Sequence, residues 1–122
     1  MQWLAIALGG ALGAVLRFGL SSGIYAWLGR GFPYGTLAVN VLGCGLMGFL
    51  SIYLVERWVS AEWRAGLLVG VLGALTTFST FSLETLNLWY QGQSVKMLFN
   101  IGLSVIMCLL ATGLGILLAR QL

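Results

Sequence analysis

The chain has 122 residues, 60% hydrophobic and 7% charged, which excludes an ordinary soluble domain at about 25% charged and leaves room for about four membrane spans, short loops and no soluble domain. With no histidine and only three acidic residues, His-based metal or proton-relay chemistry and Ser-His-Asp or Cys-His catalysis are excluded, and paired-carboxylate catalysis has little to work with. The net charge of +3 comes from a few cations that mostly flank the spans, so it does not point to nucleic acid as a partner.

The first predicted span covers about residues 3–28. Nothing basic precedes its apolar run and Arg17 interrupts it, so it reads as a retained helix rather than a signal peptide. Ala5, Gly9, Gly13, Arg17 and Ser21 recur every four residues and share one face. Gly9 and Gly13 allow close helix approach. Arg17 is costly this far into a span, so it either snorkels to an interface or serves a vestibule or assembly. The loop at 29–35 holds the only proline and three glycines, a turn by composition.

The second span covers about 35–55, with Thr36, Asn40, Cys44, Met47 and Ser51 near helical spacing. The Asn40 amide must find partners in lipid, whether a helix, water or a solute. Glu56, Arg57, Trp58, Glu62, Trp63 and Arg64 read as an interfacial loop, with the tryptophans at headgroup level.

The third span, about 65–90, is the unusual one. Residues 76–82 carry five hydroxyl side chains just after Gly73, in the middle of an apolar stretch. Polar groups and loosened backbone survive at that depth only when they face protein, water or an ion. The half before the cluster is roughly 11 residues, about 16 Å of helix, or half a bilayer. A discontinuous helix fits this pattern, and half-helix ends aim backbone groups at ions. An intact helix whose Ser and Thr bond back to their own carbonyls is the alternative.

The fourth span covers about 95–120. Asn100, Ser104, Cys108 and Thr112 form one weakly polar stripe. Cys44 and Cys108 both lie inside spans and read as small packing residues rather than a disulfide. Between the spans, Arg57, Arg64 and Arg120 fall on one side, Arg30 and Lys96 on the other. That balance carries almost no positive-inside bias, so either orientation inserts and an antiparallel homodimer becomes possible.

Three segments carry a family resemblance. They are Gly9-Gly10-Ala11-Leu12-Gly13-Ala14-Val15-Leu16-Arg17-Phe18, Gly35-Thr36-Leu37-Ala38-Val39-Asn40 and Gly73-Ala74-Leu75-Thr76-Thr77-Phe78-Ser79-Thr80-Phe81. The chain resembles the Fluc fluoride channels, also called CrcB proteins, over essentially its whole length. The resemblance implies an all-α membrane protein with four transmembrane helices, the third broken at mid-membrane, in an antiparallel dual-topology homodimer. It implies passive, fluoride-selective efflux through two pores in a bacterial cytoplasmic (inner) membrane. It also implies a central structural Na⁺ held by the backbone carbonyls of Gly73 and Thr76. Asn40, Phe78 and Phe81 would line the fluoride path, with a polar track at Thr77, Ser79, Thr80, Glu84 and Ser104. In the family this track can carry Tyr where this chain has Asn100, and Ser where it has Cys108. Arg17 would sit at a vestibule or assembly surface.

Two other functions compete with this reading. A small proton-coupled multidrug exporter needs an embedded carboxylate, and only Glu84 qualifies within a span. A structural subunit of a larger complex would explain the glycine faces but not the hydroxyl cluster.

Overall fold

A computed structural model describes all residues, Met1–Leu122. Four helical segments are long and apolar enough to cross a membrane: Gln2–Leu28, Tyr34–Glu56, Ala61–Tyr90 and Ser94–Ala119. The third begins earlier than the apolar run suggests. Ser60 stands at its N-cap and Ala61–Arg64 is already helical. Glu62, Trp63 and Arg64 therefore belong to the helix, not to the loop expected from their polarity. Glu62 lies in the first turn, where a carboxylate suits the helix dipole. Ala65–Leu72 then winds as a π-helix and Gly73–Leu75 returns to α geometry.

Glycines decide which spans touch. A Cβ at Gly9 would run into the Gly66 carbonyl, and one at Gly13 into the Val71 carbonyl. On the facing side, a Cβ at Gly70 would sit 2.8 Å from the Ile6 carbonyl and 3.0 Å from the Gly9 Cα. The first helix and the first half of the third span thus meet backbone to backbone. The second and fourth spans do the same, with Gly48 against the Thr112 backbone and Gly115 against the Gly45 carbonyl. Such contacts supply van der Waals packing in lipid, which offers no hydrophobic drive between helices.

The buried set reflects that solvent. Thr36, Asn40, Thr77, Thr85, Asn100 and Ser104 are buried beside Val39, Leu54, Leu72, Leu75, Leu88 and Ala119. Large apolar side chains such as Leu8, Val15, Phe18, Leu109 and Leu114 point outward.

Candidate functional site: the Thr76–Thr77 interruption and its groove

Between Leu75 and Phe78 the backbone leaves helical geometry. Thr76 has φ −84° and ψ 155°, and Thr77 has φ −151° and ψ 120°, both extended. Two side chains replace the missing helical bonds. Asn40 donates from Nδ2 to the Thr77 carbonyl at 2.9 Å, and its Oδ1 accepts from the Thr77 N–H at 2.7 Å. The amide pairs with Thr77 as another peptide group would in a sheet. Thr77 in turn caps the following helix, its Oγ1 accepting from the Thr80 N–H at 3.1 Å.

These substitutions have a consequence for the carbonyls. In a continuous helix the Thr77 N–H would serve the Gly73 carbonyl, and the Thr80 N–H the Thr76 carbonyl. Asn40 and the Thr77 hydroxyl take those donors instead. The Gly73 and Thr76 oxygens lose their i+4 partners. Arg17 Nη1 lies 3.5 Å from the Thr76 oxygen. The Arg17 guanidinium thus reaches from the first helix to the interruption in the third span.

A groove of about 360 Å³ opens beside the interruption. Asn40, Thr77, Phe78, Phe81 and Ser104 line it together with Thr76, Cys44 and Cys108. The Phe78 and Phe81 rings lie 5.4 Å apart at 47°. Donor capacity remains in the groove and on the turn beside it, although Ser79 and Thr80 themselves do not line the groove. One of the two Asn40 N–H groups is left after Thr77 is served. The Thr77 hydroxyl donates to Thr80 Oγ1 at 2.9 Å, so the Thr80 O–H is free to donate elsewhere. Ser79 Oγ lies 3.3 Å from Thr77 Oγ1. Ser104 reaches Asn100 Oδ1 only at 3.4 Å, long enough for a better acceptor to displace.

Glu84 lies apart from these groups. Its Oε1 accepts from Tyr25 Oη at 2.9 Å and from Thr36 Oγ1 at 3.0 Å, while Oε2 is buried without a partner. Arg30 stacks over the Tyr25 ring at 4.8 Å. One residue further on, Thr85 faces the other way. Its Oγ1 accepts from Asn100 Nδ2 at 2.9 Å and donates to the Phe81 carbonyl. Tyr25, Thr36 and Thr85 are the partners the sequence reading missed. Tyr25 had a signal, since it continues the four-residue stripe that ends at Ser21.

Comparison with known proteins identifies the family of the chain. A family model described as CrcB-like protein, Camphor Resistance (CrcB), matches residues 4–116. A Methylococcus capsulatus protein named fluoride-specific ion channel FluC is 58% identical over 123 aligned positions. That alignment covers 100% of this chain but 54% of the relative, so the chain spans about half of that protein's length. A Magnetococcus marinus protein of the same name is 53% identical, with 98% of each chain covered. Another from Geobacter metallireducens is 49% identical over 98% of this chain and 97% of the relative. On a family match that runs through nearly the whole sequence, this chain belongs to the CrcB-like family.

Proposed function

We propose that the chain is a fluoride-selective channel that lets fluoride leave the cytoplasm down its gradient. The observation that carries this reading is the groove, where Asn40, Thr77, Phe78, Phe81 and Ser104 meet beside extended backbone. Membership of a family whose relatives are named fluoride channels supports it.

Fluoride is small and tightly hydrated, so a pore must replace its water with donors at short range. The free Asn40 N–H and the Ser104 hydroxyl supply them in the groove, and the Thr80 hydroxyl adds one on the adjoining turn. The edges of the Phe78 and Phe81 rings carry the positive part of the aromatic quadrupole and suit an anion approached edge-on. Glu84 stands further along the same helix, held by Tyr25 and Thr36.

In this reading two copies cross antiparallel in the cytoplasmic membrane of a bacterium, with the interruptions at the bilayer midplane. Each copy offers the Gly73 and Thr76 carbonyls to one shared Na⁺. The donor set fits: these are neutral oxygens whose helical donors are diverted, and hard cations prefer oxygen ligands. When bound, Na⁺ supplies a fixed positive charge near the two anion paths.

The decisive test is fluoride efflux from liposomes that hold only the purified protein, followed with a fluoride electrode. Efflux is expected, with chloride retained. Well-folded protein that passes no fluoride sinks the channel reading, and equal chloride flux sinks selectivity. Tags on the C-terminus that are reached from both sides of the membrane would establish dual topology. Sodium-dependent thermal stability, lost in potassium, would establish the cation.

A further inference from the structure

Cys44 and Cys108 line the groove but are only weak donors, and their placement is specific. Gly48 packs directly on the Thr112 backbone. One helical turn back on each span stand Cys44 and Cys108. One turn further back stand Asn40 and Ser104, which line the same groove as both cysteines. The second and fourth spans therefore run side by side in one register, and the cysteines form an opposed pair. The close approach at Gly48 keeps the two helices near each other one turn away. Both thiols are free and half-buried.

Asn40 serves Thr77 with one N–H and Ser104 reaches Asn100 at 3.4 Å, so neither is bonded to a sulfur. The Thr112 hydroxyl bonds to the Cys108 carbonyl at 2.9 Å, which ties that turn of helix rather than the sulfur. Val105 and Leu109 add apolar surface to the same groove.

We propose that Cys44 and Cys108 form a two-thiolate site for a soft divalent cation, bridging the second and fourth spans across the groove. Thiolates select soft metals over hard ones. Two metal–sulfur bonds of about 2.3 Å each can bridge cysteines that face one groove from adjacent helices. Charge balances in the apolar surroundings. Two thiols lose two protons to water, and the metal brings two positive charges to two thiolates. The bridged site stays as neutral as the thiol pair it replaces, which avoids the cost of a buried net charge.

Mercury(II) is the probe, added to purified full-length protein in excess glutathione and followed by dialysis and metal counting. The excess monothiol strips any metal held by one sulfur. Wild type is expected to retain one mercury per chain, and Cys44→Ser and Cys108→Ser to retain none. Both variants are checked by size-exclusion elution, and Cys44→Ala repeats the test with no hydroxyl. Two metals per chain, none in wild type, or equal retention in a single-cysteine variant overturns the proposal. A second arm rests on the channel reading. Mercury should abolish wild-type fluoride efflux, with recovery on dithiothreitol, and leave Cys108→Ser at its own untreated rate. If metal counting gives one per chain but untreated protein passes no fluoride, the site stands and the channel reading fails.

Discussion

The two halves of the third span are held by different means. Residues 61–75 lie against the first helix through glycine, with carbonyls pressed on Cα atoms. Phe78–Tyr90 is held by side chains: Asn40 and Thr77 at its start, Tyr25 and Thr36 on Glu84, Asn100 on Thr85. The first half has no room for added bulk at Gly70, where it meets the first helix. The second has no tolerance for a lost polar partner. A membrane protein with little apolar drive between helices can fix a polar segment by the second means while the first holds the scaffold.

Substitutions can test that division. Gly13→Val should have the largest effect, because its Cβ meets the Val71 carbonyl, which cannot move aside. Overpacking costs about 1–3 kcal/mol and more against backbone. The expected outcome is no monodisperse protein on size exclusion, whereas Gly10→Ala, with open space around it, should purify normally. If Gly13→Val folds as wild type does, the backbone contact does not hold the scaffold.

Asn40→Asp comes next. The carboxylate still accepts from the Thr77 N–H but cannot donate to its carbonyl. A buried carbonyl left alone costs about 1–3 kcal/mol, and the new charge opposes an anion. Fluoride efflux should fall roughly tenfold or more, on that same energy scale, while the protein still purifies. Wild-type flux would remove Asn40 from both the path and the clip.

Phe78→Ile should slow efflux several-fold with Tm unchanged, since Phe78 is 78% exposed in the single chain. A loss of stability equal to the loss of flux would make it a packing residue. The smallest effect belongs to Lys96→Met, outside both halves. Its exposed bond to the Gly31 carbonyl should be worth within about 0.5 kcal/mol, read as an unchanged melting curve.

Much of this arrangement is legible in the residues. The four apolar runs mark the helices, and the four-residue spacing of Gly9 and Gly13 marks the face that packs. Five hydroxyls after Gly73 mark where the span stops behaving as a lipid-facing helix. Partners are harder to read. Asn40 announces that it needs hydrogen bonds, but nothing local says that they go to the Thr77 backbone, 37 residues away. Glu84 and Thr85 are adjacent in sequence, yet about 100° apart around a helix, so they find partners on different spans. The π-helical stretch Ala65–Leu72 also leaves no clear mark, because widened turns arise from packing rather than from a residue signature.

The Arg17 contact with the Thr76 oxygen bears on biosynthesis. A newly made chain enters the bilayer before it meets anything else, and a carbonyl stripped of its helical donor is expensive in hydrocarbon. Arg17 gives that oxygen a cationic donor from within the same polypeptide. The chain thus carries its own cationic partner for the Thr76 carbonyl at the interruption.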